Sequence, residues 1–482
     1  MTPAERHEAL RRSLASLPPA RREALRRSLA GRAGGTDEAE AGPAWPLSFG
    51  QERLWFLSRF DPSDTGSNII WPVRLRGPVD PGGLAAAFTR IAERHRVLRA
   101  RFVQRDGRPV QIVTPPRPVP LEQIDLTGET EESEAEAVAR YAGRPFDLRS
   151  DPPIRTALMW REPGGHALLC IGLHHIAADG WSLNVLMGEL AECYAAHREG
   201  RPDRLDDLPA QYTDFVTWER ERFEREGARH TAYWTRALAG VPALDLPADH
   251  PRPARWGGRA ARVAVAVPDA DLAGLERFAV AERHTLFMAL LAAFQAALWQ
   301  ASGQTDFCVG VPVAGQGRTE FSALIGDFSN TLAMRADLSG DPSFRTLLRR
   351  VRRTVFGALQ HAEAPFERVV AAVSPSRDLR RPPLCQALFN LTHNLPTDAL
   401  LRTSMADLRV EALPQPPFGR TRAEVSAQLF RDERGLGGFL EYDGDLFEAG
   451  TARRLTEAFT GLVRRAATDP DTPLPTPAHG GT

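Results

Sequence analysis

The chain runs to 482 residues, 43% of them hydrophobic and 25% charged, with 60 basic side chains against 61 acidic ones. That balance excludes a nucleic-acid or membrane partner held by bulk electrostatics, and the length allows two or three domains with cores of their own. Every basic side chain other than histidine is arginine. Without lysine the chain cannot form a lysine Schiff base, hold pyridoxal phosphate through one, or build a Walker A loop.

Residues 1–44 stand apart from the rest. Glu8–Ala15 recurs as Glu23–Ala30, with Pro18 and Pro19 between the copies. Each copy suits a short amphipathic helix, and the prolines separate them. A link rich in glycine and acid, Gly34–Glu40, leads to the folded part, so the segment reads as a solvated linker or a docking segment for a partner protein. Its start is no signal peptide, and no apolar run reaches the length of a membrane span, so a cytoplasmic protein is expected. Cys170, Cys193, Cys308 and Cys385 lie far apart in mostly apolar contexts. They read as core thiols in a reducing compartment rather than a disulfide or zinc framework.

From Pro46 onward helical and strand patterns alternate, which predicts an α/β or α+β protein. Leu84–His95 reads as a helix, with Val97–Val103 and Pro109–Val113 as strands around the turn Arg105-Asp106-Gly107. The apolar run Ala167–Leu173 predicts a buried strand, and Ser182–Ala195 a helix. Phe215–Ala237 is charged and helical, suited to bridge two lobes. Val263–Val267 and Phe307–Val313 read as strands, and Asp271–Arg283, Leu286–Ala301 and Ala452–Ala467 as helices. The tail Pro470–Thr482, rich in proline and glycine, is expected to fray.

Between the buried strand and its helix stands His174-His175-Ile176-Ala177-Ala178-Asp179-Gly180-Trp181-Ser182. Adjacent side chains at a strand end point to opposite faces, so only one of the two histidines can face a given cleft. The same splay, with no well-spaced third ligand, argues against a metal site. His95 and His361 read as satisfied structural residues.

Seven separated segments, in order, resemble the motifs of the condensation domains of nonribosomal peptide synthetases. They are Leu47–Leu57, Arg94–Phe102, the His-His-x-x-x-Asp-Gly core, Tyr212–Trp218, Ile325–Leu332, His361–Glu367 and Arg377–Leu384. The resemblance spans about Pro46 to Pro473. It implies two chloramphenicol-acetyltransferase-like lobes in a V-shaped pseudo-dimer with a central tunnel. Residues 45–222 would form the lobe carrying the core motif and 223–475 the other, with 476–482 a flexible tail. Three segments depart from the family pattern. Gly326-Asp327-Phe328-Ser329-Asn330-Thr331 replaces a common Gly-Phe-Phe-Val-Asn-Thr, the His361 segment lacks the usual Gln-Asp, and Arg422-Ala423-Glu424-Val425 stands for Lys-Phe-Asp-Leu.

By this resemblance the chain condenses a carrier-bound acyl or aminoacyl thioester with an amine or hydroxyl acceptor. Substrates ride on the phosphopantetheine of partner carrier proteins, and no cofactor is expected on the chain itself. The chain shows neither an adenylate-forming domain nor a Gly-Gly-x-Ser carrier site, so carriers are expected in trans, with the chain a monomer. His175 is the expected proton acceptor or orienter and His174 a packed structural residue. Asp179 either orients the imidazole, as in a triad, or pairs with Arg94 or Arg99 to pin the loop; the resemblance favours the pair. Gly180 is expected to supply a special backbone angle or a close approach, and its amide is a candidate oxyanion donor. Trp181 reads as core packing and Ser182 as a helix cap, both also tunnel candidates. Ser329 and Asn330 read as tunnel-lining groups or a structural turn.

A free α-amino group with pKa about 7.7–8.0 is already about a tenth neutral at pH 7, so freeing it is worth only about 1.4 kcal/mol. Positioning is worth roughly 7–11 kcal/mol in favourable cases. For an amine, His175 is therefore expected to orient and to take the proton shed after attack; a hydroxyl needs a true base. Two enzyme classes sharing parts of the motif fit less well. Epimerisation domains usually continue Val-Ser-Trp-Arg where Trp181-Ser182-Leu183-Asn184 stands, and plant acyl-CoA transferases carry a late Asp-Phe-Gly-Trp-Gly that is absent. A degenerate recruitment module is the non-enzymatic alternative.

Overall fold

Two large β-sheets organise the molecule, and each draws most of its strands from one half of the chain. The computed structural model describes residues 43–476, apart from 129, 163, 255, 316, 374–377, 379, 394–404, 414–418 and 433–434. The repeated copies at 8–15 and 23–30, the link at 34–40, residues 377 and 379 of the last motif and the tail beyond 476 lie outside the described residues.

The N-terminal half begins with β1 (Ala44–Pro46), α1 (Phe49–Phe60), β2 (Asn68–Arg76) and α2 (Pro81–Arg94). It continues through β3 (Ala100–Arg105), β4 (Arg108–Val113), β5 (Leu121–Asp125) and α3 (Glu131–Ala142) to β6 (Ile154–Glu162) and β7 (His166–His174). A long helix, α4 (Gly180–Glu199), follows, and α5 (Tyr212–Ala237) leads into the second half. There come β8 (Ala260–Val267), α6 (Asp269–Ala281), α7 (Leu286–Ser302), β9 (Asp306–Ala314), β10 (Ser329–Asp337), α8 (Phe344–Gln360) and α9 (Phe366–Val373). Strands β11 (Ala387–His393), β12 (Arg409–Ala412), β13 (Val425–Asp432) and β14 (Gly435–Asp443) precede the last helix, α10 (Ala449–Thr468).

The N-terminal sheet has the order β12-β2-β7-β6-β5, and the C-terminal sheet β10-β9-β11-β13-β14-β8. A third, small sheet has the order β1-β4-β3, with Asp106 and Gly107 both at positive φ in its hairpin turn, as the turn residues predict. Strand β7 is buried on both faces, which explains its unbroken apolar run. Its odd positions, Leu169, Ile171 and Leu173, join the cluster with α2 and α4, while Leu168 and Cys170 join Tyr141 of α3. In the second half α7 is buried from Met288 to Trp299, apolar there but for Gln295, and forms the centre of that core. Among the described residues no single helix is long and apolar enough to cross a membrane.

The halves exchange segments. Strand β12, from late in the chain, completes the N-terminal sheet by pairing antiparallel with β2, Arg409 opposite Arg76 and Ala412 opposite Val73. Phe321, Leu324, Ile325 and Phe328 enter the core cluster of the first half beside Tyr212 and Phe215. Helix α5 runs unbroken through residues 222 and 223. The expected division there is therefore not a clean cut: the second lobe lends the first both a strand and a core segment.

Two local expectations fail for physical reasons. Val97 and Leu98 are both buried, so they cannot alternate as a strand does; they form a 3-10 turn, Arg96–Arg99, before β3. The tail does not fray up to its last described residues: Leu474 is 2% exposed and its N–H donates to the Pro342 carbonyl at 3.0 Å.

Candidate active site

Strand β7 ends at His174, and one 3-10 turn, His175–Ala177, links it to α4. His174 is buried, packs edge-on against Phe146, and its Nδ1 accepts the Ile176 N–H at 3.0 Å. Burial, then Arg422 and Arg155, push its pKa down to about 3, which keeps the ring neutral. The His175 backbone N–H donates to the Ser67 carbonyl at 2.8 Å, and the residue is half-buried. Helix α1 holds the turn from the other side, through Gln51 Nε2 donating to the Ile176 carbonyl at 2.9 Å.

His175 is kept neutral. Desolvation lowers its pKa well below the ordinary value, and the positive charges of Arg422 and Arg53, with His174 between them in strength, act in the same direction. The ring is therefore a proton acceptor through the whole physiological range.

Asp179 is not paired with Arg94 or Arg99. Its carboxylate caps α4: Oδ1 accepts the Ser182 N–H at 2.9 Å and Oδ2 the Phe328 N–H at 3.1 Å. Arg94 is taken by Glu189 at 3.2 Å and the Asp206 carbonyl, and Arg99 by the carbonyls of Ala92 and Thr114. Burial raises the Asp179 pKa against the pull of these N–H bonds. Ser182 is not a tunnel residue either. It is fully buried at the third position of the capping box, its Oγ 2.8 Å from both Asp179 Oδ1 and the Gly326 carbonyl, and it accepts the Gly326 N–H at 3.0 Å. His95 serves the same junction, bonded to Glu189 at 3.0 Å through Nε2 and accepting the Ile325 N–H at 3.2 Å through Nδ1.

Gly180 has no positive φ, so no special backbone angle explains it. A Cβ built there meets nothing within 4 Å, which leaves close approach of a ligand as the remaining reading. It is the first residue of α4, where the backbone N–H has no intrahelical acceptor and the helix dipole is positive. Trp181 is not core: it is 45% exposed, and its Nε1 donates to the Ser322 carbonyl at 2.8 Å, tying α4 to the exchanged segment. Ser329 Oγ donates to Asp327 at 2.6 Å. Asn330 spends its whole amide on the backbone, donating to Ala362 and Ala364 and accepting from Thr331 and Phe366, the expected structural turn.

Four charged groups near this junction escaped the sequence reading. Arg53 pairs with Glu367 at 2.7 Å; it stands in the quoted opening motif, but nothing in the sequence assigns it a role. Arg422 is exposed, between buried Thr421 and Ala423. Burial raises Asp327 to about 7 and Glu219 to about 8. Asp327 Oδ2 is buried with no hydrogen-bond partner, and its appearance in place of the family's phenylalanine was the one available signal. Among the described residues, the metal-type group Glu226, His230 and Glu363 lies on α5 and after α8, with Arg222 already bound to Glu363.

A neutral histidine one turn before the Asp179-capped start of α4, on a two-lobed chloramphenicol-acetyltransferase-like scaffold, defines the class. A condensation-domain family model matches residues 43–478, and the chain belongs to the condensation-domain family. It is 39% identical over 442 residues to a linear gramicidin synthase polypeptide of Brevibacillus parabrevis, covering 89% of this chain and 6% of that protein. It is 36% identical to the chondramide synthase cmdD of Chondromyces crocatus, covering 88% of this chain and 11% of that one. The chain thus spans a small fraction of these curated relatives. Among solved structures, the X-domain from teicoplanin biosynthesis is 28% identical with TM-score 0.81, covering 89% of this chain and 96% of that chain. The SgcC5 protein from Streptomyces globisporus is 28% identical with TM-score 0.72, covering 89% and 100%.

Proposed function

We propose that this chain joins an acyl or aminoacyl group, delivered as a phosphopantetheine thioester by a carrier protein acting in trans, to an amine or hydroxyl acceptor. The observation that carries this reading is His175, half-buried and held neutral at the end of β7, one turn before the Gly180 N–H at the start of α4. The acceptor nitrogen or oxygen attacks the thioester carbonyl, the C–S bond breaks, and the carrier thiol leaves with a proton. His175 takes the proton shed by the acceptor and returns it to the thiolate. In this reading the Gly180 amide, at the positive end of α4, receives the developing oxyanion. Phosphopantetheine belongs to the carrier; the chain's part is to orient two tethered reactants.

A second reading has one specific observation in its favour. The teicoplanin X-domain, a close structural likeness, is also solved as a complex with OxyB, with TM-score 0.81 and 28% identity. Recruitment of another enzyme is therefore the competing role. Incubation with an acyl-loaded carrier and a panel of amines and alcohols, read by mass spectrometry, separates the readings. Transfer supports condensation, epimerised donor without transfer supports an epimerase, and unchanged donor with every acceptor favours recruitment.

A further inference from the structure

Among the described residues, Arg422 is a cation at this junction without an anion. Arg420, two residues earlier, pairs with Asp61 at 3.0 Å, and Arg53 with Glu367 at 2.7 Å. Among the described residues Arg422 has neither hydrogen bond nor ion pair, although its neighbours on both sides are buried and its own side chain is exposed. It is nevertheless not on an open surface: surrounding protein desolvates it enough to lower its pKa, with Arg53 adding repulsion. An exposed guanidinium with protein packed about it, and no anion of its own among the described residues, is open to a ligand.

His175 is close by: the Arg422 charge lies within electrostatic reach of its ring. The Ser67 carbonyl holds the His175 N–H, and a Cβ built on Gly66 would lie 3.3 Å from the Arg420 carbonyl, two residues before Arg422. A carboxylate was at hand to neutralise it: Asp327 lies within electrostatic reach, yet its Oδ2 stays unbonded. A desolvated, unpaired guanidinium with a free planar fork is costly to keep and suited to bidentate capture of a carboxylate.

We propose that Arg422 reads the substrate, its guanidinium taking a carboxylate carried by one of the two reactants that meet beside His175. This rests on the acyl-transfer reading above. The phosphate of a pantetheine arm is at the far end from its thiol, so it cannot be the anion here. Two sources share the chemistry: an acidic donor acyl group, or the free α-carboxylate of an amino-acid acceptor. An acceptor bound to a carrier through its own carboxyl offers no such charge.

The test is binding, which needs no turnover. Glutaryl-pantetheine is compared with hexanoyl-pantetheine, and alanine with alaninamide, by calorimetry or ligand-observed NMR on the full chain. The expected result is that one acidic probe binds about tenfold tighter than its neutral mate. Arg422→Met removes that margin without weakening the neutral mate, and Arg422→Lys keeps part of it. The pair that shows the margin identifies the source. Equal binding within both pairs, no binding by either acidic probe, or equal weakening of both members by Arg422→Met overturns the proposal. Carrier-dependent transfer with neutral reactants is scored separately, so a failure of acyl transfer itself shows in that assay and leaves the binding margin readable.

Discussion

The Asp179 carboxylate receives the Phe328 backbone N–H at 3.1 Å, and by that bond the loop holding His175 is fastened to the segment exchanged from the second half of the chain. The side chain expected to answer an arginine instead caps a helix and clasps a neighbour's backbone. Its charge is compensated by N–H dipoles, which also fixes the angle at which α4 presents Gly180.

Asp179→Ala removes the cap of α4 and strands the Phe328 N–H in a buried setting. The first loss costs about 1 kcal/mol and the second about 1–3 kcal/mol. Urea unfolding should show a total of about 2–4 kcal/mol, and Ser182→Ala about 1–2 kcal/mol, by loss of its bonds to Gly326. An unchanged midpoint for Asp179→Ala would remove the clasp from this account.

His175→Ala should leave the protein folded, checked by its unfolding midpoint, while product formation falls. With matched amine and alcohol acceptors the ester should suffer more than the amide, since the hydroxyl needs a base and the amine chiefly an orienter. Equal losses in the two reactions would contradict that division.

Gly180→Ala separates approach from conformation. The free protein has room for the methyl group and the backbone angle is ordinary, so stability should move by less than about 0.5 kcal/mol. Transfer rate should nevertheless drop, because the methyl group occupies the space over the Gly180 amide. Wild-type kinetics in this variant would assign the glycine no functional part.

The buried acids give a pH signature with a defined sign. Asp327 binds its proton more tightly folded, at about 7, than unfolded, near the ordinary carboxylate value. Its contribution is therefore complete at low pH and is lost as pH rises from about 4 towards 7. Asp327→Asn should gain up to about 4 kcal/mol over wild type at pH 8, and the gain should vanish near pH 4. The histidines act oppositely: His174, at about 3 when folded, makes the protein less stable as pH falls below 6.5, where the unfolded chain takes up the proton. Denaturant titrations at pH 4, 6 and 8 resolve both trends.

Elements governed by their own periodicity were legible in the sequence. Strand β7 and helix α7 announce themselves as continuous apolar runs, and the Asp106-Gly107 turn by its residue types. Strand β2 was not, because Pro72 sits inside it. The register shows why it is tolerated: β12 pairs only with Val73–Arg76, so the proline falls where the ladder on that side stops. At the site, the motif singled out His175, which the structure leaves half-buried at the end of β7. It could not show that Arg94 is spent on Glu189, nor that Asp179 and Ser182 reach the distant segment Gly326–Phe328, since such partners are set by tertiary approach. Arg422 stood out in the sequence only as a departure from the family's lysine; that it is unpaired is a property of its surroundings.

The borrowed strand β12 has a consequence for anyone wishing to divide or graft this molecule. Severing α5 would leave one piece with the edge of β2 uncovered and an apolar socket vacated by Phe321–Phe328, and the other with those greasy side chains homeless. Neither fragment would be a usable building block, so the unit can be transplanted between larger assemblies only whole.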